Sequence, residues 1–365
     1  MSRQILRLVD ELVAQMESGS DQYQSVMEQL ADATQTEEPD GLTAVVEALA
    51  PLLPGLAGDF AITAVLAGSC VERGASPMAL VDVLPPRAAE ALMLNAALPE
   101  LWDKSTGGRP LPAPSSASAD VLIRGLASRA SWWRRRPDGA RTEALARIAM
   151  SWFDMDYWLG AMTAVMVDAR FRAAVPNDLE TQLREHALAV APRSQEAAWC
   201  AVLAAVLDAE ELIVVHASSR RVYSLFAGGV GDMGQLYVLL ADRLIGDPGK
   251  GLVAGDRPDG IWVDAATGGP AILDADGPAV PAFRIVDSQG SNLEPGSVPA
   301  DIALLNGKRV LILHPSVDDV VLNVGRMFDR MKPTLYLDRI LGPAEAESWL
   351  DLLTPAAMSG RAGSC

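Results

Sequence analysis

Two carboxylates, Asp154 and Asp156, interrupt the segment "SWFDMDYWLGAMTAVMVDARFR" (151–172), which is otherwise apolar on nearly every face of a helix. On an ideal helix they project about 200° apart, so they are not a dyad on one face. At least one is driven towards an apolar interior, where an ionised carboxylate costs several kcal/mol unless a cation or hydrogen-bond donors meet it. Such an aspartate is either structural and paired with an arginine, with Trp152 and Trp158 as packing, or a wall of a small-molecule pocket. In the second case its raised pKa suits acid/base work and the two indoles bind substrate.

Just upstream, the stretch from Arg124 to Arg147 holds seven arginines against Asp138 and Glu143, a local charge of +5 (7 − 2) in an acidic chain. Arg134, Arg135 and Arg136 precede Pro137, as at a helix C-terminus whose dipole they complement. The same guanidinium groups can clamp a sulfated, phosphorylated or carboxylated substrate. Alternatively, with Trp132 and Trp133 as anchors, the Trp132/Arg134 region can dock an acidic protein partner. Farther on, "VLILHPSVDDVVLNVGR" sets His314 at the end of an apolar strand, followed by Asp318, Asp319 and Arg326. Strand ends collect catalytic groups in α/β folds, which makes His314 a second proton-transfer candidate and Arg326 a second anion holder. A lone histidine there is also a common structural feature, and no G-x-S-x-G elbow supplies a nucleophile.

Nucleotide and metal chemistry find less support. Gly229, Gly231 and Gly234 have the G-x-G-x-x-G spacing of a pyrophosphate cradle. Their context is wrong, because the preceding strand belongs to a hairpin and Asp232 would oppose a phosphate while capping the following helix well. A tight corner between sheet and helix is the expectation. Gly249 and Lys250 resemble the end of a P-loop, but Leu244 and Gly251 stand where glycine and a hydroxyl residue are required. His186, His216 and His314 are far apart, and Cys70, Cys200 and Cys365 form no CxxC pair, so neither a metal knuckle nor a disulfide framework is expected. We therefore expect no cofactor and no metal.

The elements that must position these groups follow from the hydrophobic pattern. Residues 1–208 carry apolar side chains at three- and four-residue spacing, predicting an all-α domain with helices near 2–17, 20–34, 41–52, 57–74, 76–98, 119–133, 140–172, 177–190 and 194–208. A Gly-, Pro- and Ser-rich stretch, 103–118, reads as a flexible loop. Residues 209–365 predict a smaller mixed α/β region with short strands and hairpins, making the whole an α+β protein. Here "ELIVVHASSRRVYSLFAGG" reads as a hairpin and "GIWVDAATGGPAILDADG" and "AFRIVDSQG" as short strands. "KRVLILH" and "TLYLDRIL" read as buried strands, and "GPAEAESWLDLL" as a capped helix.

Half of the 365 residues are hydrophobic, and the net charge is −17. Nucleic-acid binding is not expected of so acidic a chain, since polyanion affinity comes from cationic side chains that displace counterions. The start, "MSRQILRLVDELVAQM", is an amphipathic helix carrying charge rather than a signal peptide. The longest uncharged apolar runs fall short of the roughly 20 residues of a membrane span. A soluble, cytoplasmic protein is expected. Among the 30 basic residues only Lys104, Lys250, Lys308 and Lys332 are lysine, a skew that suggests a high-GC bacterial coding bias.

The runs "GGVGDMGQLYVLLADRLIG", "ADIALLNGKRVLILH" and "NVGRMFDRM" resemble C-terminal segments of uncharacterised proteins from high-GC actinobacteria. The resemblance implies a bacterial setting rich in accessory proteins of specialised metabolism, and carries no catalytic residue. The expectation is an accessory enzyme acting on a small anionic molecule by acid/base, elimination or cyclisation chemistry, with Asp154 or Asp156 as base. The alternative is a non-catalytic helical interaction or scaffold protein.

Overall fold

The computed structural model describes residues 3–19, 22–128, 139–272, 282–315, 322–325 and 328–359. The chain divides into two units, 1–204 and 205–365. It is an α+β protein, with helices first and a mixed sheet in the C-terminal half.

The first unit runs through α1 (Arg3–Ser18), α2 (Tyr23–Thr34), α3 (Pro39–Leu49), α4 (Ile62–Glu72), α5 (Leu84–Thr106) and α6 (Ala119–Ser128). It continues with α7 (Gly139–Met166), α8 (Ala169–Ala174), α9 (Asn177–Val190) and α10 (Gln195–Leu203). The all-round apolar helix α7 is central and packs against α4, α5, α6 and α10. Small residues accompany the α4–α7 approach: Ala64 and Ala67 of α4 and Ala161 and Ala164 of α7 are buried, and Ala161 and Ala164 face Gly68. A Cβ on Gly68 would lie 2.9 Å from Ala161 Cα, so glycine is required by the approach itself.

Several boundaries differ from the sequence pattern; the helix expected over 194–208 ends at Leu203, and α4, expected from 57, begins at Ile62 after a short tight turn. The helix expected over 76–98 is α5, which starts only at Leu84 because Pro85 and Pro86 fit a first turn, and which runs on to Gly107 in the left-handed conformation. It thus takes the first residues of the loop expected over 103–118. The rest of that loop is tied down by two indoles: Trp102 Nε1 donates to Arg109 O at 2.7 Å and Trp152 Nε1 to Pro112 O at 2.8 Å. The helix expected over 140–172 breaks at Asp168, whose side chain accepts the Arg170 N–H and so starts α8.

In the second unit, β1 (Glu210–His216) and β2 (Arg221–Gly228) form an antiparallel hairpin. They are followed by α11 (Met233–Leu244), α12 (Gly260–Thr267), β3 (Phe283–Asp287), β4 (Leu304–Leu305), β5 (Lys308–Pro315), β6 (Thr334–Ile340), α13 (Pro343–Leu350) and α14 (Pro355–Ser359). The sheet order is β3-β5-β1-β2-β6, with β4 also pairing β5; among the described strands β1 and β5 run parallel and the other pairs antiparallel. Alternation along the strands sends Leu212, Val214, Leu225 and Leu311 to the face covered by α11. It sends Ile213, Val215, Val222 and Ile312 to the face where Leu350 and Ala357 of α13 and α14 pack.

Two expectations fail here. Residues 260–267 form a helix, not a strand, because Asp259 caps the Ile261 N–H and Ala265 and Ala266 are buried in the core that α11 also enters. The strand β6 lies at the sheet edge and is largely exposed, with Tyr336 stacked on Phe226, rather than deeply buried.

The glycine motif forms a filled corner. Asp232 accepts the Gln235 N–H at the start of α11, and a Cβ on Gly234 would stand 2.6 Å from Asn323 O. The carbonyl of Asn323 packs directly against the glycine backbone there. Among the described residues no helix is long and apolar enough to cross a membrane.

The α4–α7 contact is directly testable. Gly68→Val should lower the unfolding free energy by about 1–3 kcal/mol, read as a lower urea midpoint. An unchanged midpoint would contradict the approach described for these helices.

Candidate functional site

On α7, Arg147, Met150, Ser151 and Asp154 follow the i, i+3, i+4, i+7 spacing of one helix face. That face, the loop 54–57, and Arg87 and Leu94 of α5 bound a cavity of about 300 Å³ within the helical unit. Asp154 lies in its wall and is only 2% exposed. Its Oδ2 accepts the Gly58 backbone N–H at 2.9 Å. Gly58 has φ +61, so the turn that aims this N–H at the carboxylate is one that L side chains rarely adopt.

The cation closest in influence is Arg87, set in the first turn of α5 by Pro85 and Pro86. Its guanidinium lies 4.7 Å from the centroid of the buried Trp158 ring, and Nη2 donates to Leu56 O at 3.2 Å. Nη1 pairs with Glu90, while the buried Nε has no hydrogen-bond partner. Glu90 Oε2 also accepts Arg147 Nη2 at 2.7 Å, so one carboxylate is shared by two guanidinium groups. Arg147 is 46% exposed at the cavity and spends only this one nitrogen on a described partner.

Burial dominates the ionisation of Asp154 and raises its pKa from 3.8 to about 6. The Gly58 hydrogen bond, the Arg87 charge and the nearby Trp158 indole oppose that rise, and the Glu90 charge adds to it. The indole N–H itself is buried and lacks a hydrogen-bond partner of good geometry. A carboxyl group that titrates near 6 can both release and take up a proton close to neutral pH.

The other sequence candidates fall elsewhere. Asp156 is exposed and does not line the cavity; Ser194 Oγ, at the start of α10, donates to it at 3.2 Å. Trp152 is committed to Pro112 O, and Trp158 is a fully buried platform under Arg87. His314 belongs to the second unit, where its Nε2 lies 2.8 Å from Ala357 O and ties β5 to α14; burial holds its pKa below the usual value. Arg134, Arg135, Arg136, Arg326, Trp132, Trp133, Asp318 and Asp319 lie outside the described residues.

Nothing in the sequence marks Arg87 and Glu90, and Arg147 stands there only as part of the basic run. Its seven-residue spacing from Asp154 was the available signal. Among the described residues no group of three or more His, Cys, Asp or Glu side chains is placed to hold a metal ion. No protein-family model, curated protein or solved structure matches the chain.

Because the folded-state pKa of Asp154 exceeds its unfolded value, the group costs nothing below about pH 3.8, where both states are protonated. As pH rises through the window from 3.8 to about 6 the unfolded chain ionises first, and above it the fold carries a constant penalty of about 3 kcal/mol. Asp154→Asn keeps an acceptor for Gly58 but has no such penalty. Urea unfolding of both proteins from pH 4 to 7 should show the variant gaining stability on the wild type by roughly 2–3 kcal/mol, since the unfolded carboxyl is already partly ionised at pH 4. Parallel stability profiles would exclude the shifted carboxyl.

Proposed function

We infer that the helical unit is an enzyme acting on a small anionic substrate, with Asp154 as the proton donor and acceptor and Arg147 as the anion holder. The observation that carries this reading is a buried carboxyl, titrating near 6, in the wall of a cavity that also presents a partly unengaged guanidinium. Ligand pockets start at about 300 Å³, so this space suits a compact substrate. Its carboxylate or phosphate meets Arg147, and the carbon or oxygen that exchanges a proton faces Asp154. In isomerisation Asp154 takes the proton from one atom and returns it to another, and in elimination or cyclisation it takes the proton from one atom and gives it to the departing or newly bonded group.

Arg87, held by Trp158, Leu56 and Glu90, keeps Asp154 from rising further and orients the wall rather than binding substrate. Arg134, Arg135, Arg136 and Arg326 remain further anion-holding candidates. The free, buried thiols of Cys70 and Cys200 suit a reducing cytoplasm. The C-terminal resemblance to actinobacterial proteins supports an accessory role in specialised metabolism. The interaction-protein alternative rests on Trp132 and Arg134, outside the described residues.

A panel of small carboxylates and phosphate monoesters, screened by thermal unfolding and then for turnover, tests the reading. At least one should raise the unfolding temperature of the wild type, and Arg147→Gln should cancel that rise. Asp154→Asn should retain binding but lose about 10²- to 10⁴-fold in turnover. A panel that binds nowhere, or turnover untouched in Asp154→Asn, would refute the assignment.

A further inference from the structure

The second unit contains a cleft of about 500 Å³ of its own, unconnected with the chemistry assigned to Asp154. One wall is the β1–β2 turn, where His216 ends β1, Ser218 and Ser219 form the tip, and Arg221 begins β2. Leu252, Val253, Phe283 and Pro315 supply apolar walls. His216 Nδ1 and Ser219 Oγ are 2.8 Å apart, within full hydrogen-bond distance. Ser219 itself is exposed.

The imidazole is held in place. Its strand pairs with both β2 and β5, and the Phe283 ring packs edge-on with centroids 6.3 Å apart. Burial first, then Arg221 and His314, hold its pKa below the usual histidine value, which favours the neutral ring with one acceptor nitrogen. Arg221 is fixed by donating to Leu252 O at 2.7 Å and Pro248 O at 3.3 Å, which sets a positive charge in the cleft wall beside the turn.

We propose that Ser219 and His216 form a nucleophilic dyad that accepts acyl groups from neutral esters whose acyl chain lies in the apolar part of this cleft. With the ring proton on Nε2, the Ser219 hydroxyl hydrogen points to Nδ1. Oγ bonds the ester carbonyl carbon as its proton passes to Nδ1, and the fixed Arg221 charge favours the developing oxyanion. The ester C–O bond then breaks, and the alcohol leaves with the proton held by His216. Water next attacks the acyl carbon and gives a proton to His216. As the acyl–Oγ bond breaks, that proton returns to Oγ and the carboxylic acid departs. No redox partner is involved.

The full chain, treated with a fluorophosphonate and digested for mass spectrometry, should carry the label on Ser219. It should also hydrolyse p-nitrophenyl butyrate. Ser219→Ala, on an exposed turn, should fold normally, lose the label and fall to the buffer rate of hydrolysis. His216→Asn, with folding checked by circular dichroism, should label at least tenfold more slowly. A wild type unlabelled at Ser219, Ser219→Ala hydrolysing at the wild-type rate, or folded His216→Asn labelling at the wild-type rate would each overturn the dyad.

Discussion

A carboxyl group in the middle of an apolar helix must be neutralised, hydrogen-bonded or expelled, and the helical unit is arranged around that constraint. Asp154 cannot turn to water, because α7 has neighbours on several sides and Asp154 shares its buried stripe with Trp158, Met162 and Val165. One backbone N–H, from Gly58, meets it, and the charge of Arg87 acts on it without a hydrogen bond among the described contacts. These are too few donors to keep it fully ionised, and the group is left poised between charge states. The turn at Gly58, the proline-led start of α5 and the shared Glu90 all serve that one placement.

The second unit solves a different problem. A sheet with one parallel and several antiparallel pairings needs cover on both faces, and α11 with α12 on one side and α13 with α14 on the other provide it. The polar groups within this cover are engaged. Asp232 caps α11, Tyr237 Oη donates to Leu293 O at 2.8 Å, and His314 meets the Ala357 carbonyl. The polar groups on the β1–β2 turn are more open, and they border a concave surface.

Much of the architecture was legible in the sequence because it follows from periodicity. The change from three- and four-residue spacing to alternation near Leu207 separates the helices from the strands, and the apolar surroundings of Asp154 marked it as unusual. What was not legible depends on partners distant in the chain. Gly58 contributes through its backbone, which no residue type reveals, and Arg87 with Glu90 looks like an ordinary i, i+3 surface pair until α5 is laid beside α7. Residues 260–267 read as a strand because eight mixed residues fit either period, and the Asp259 cap decides for helix. The first residues of β6 read as core, but alternation continues into Asp338 and Arg339, as befits an edge.

The strap after α5 has an optical consequence. Trp102 and Trp152 each spend their indole N–H on a carbonyl of this segment, and Trp102 also packs among Leu98, Leu122 and Leu126. Lifting the strap would strip both rings of their acceptors and expose them to water. In a variant whose other six tryptophans are replaced by phenylalanine, the emission of these two becomes a built-in gauge of whether the segment is seated, with no added label.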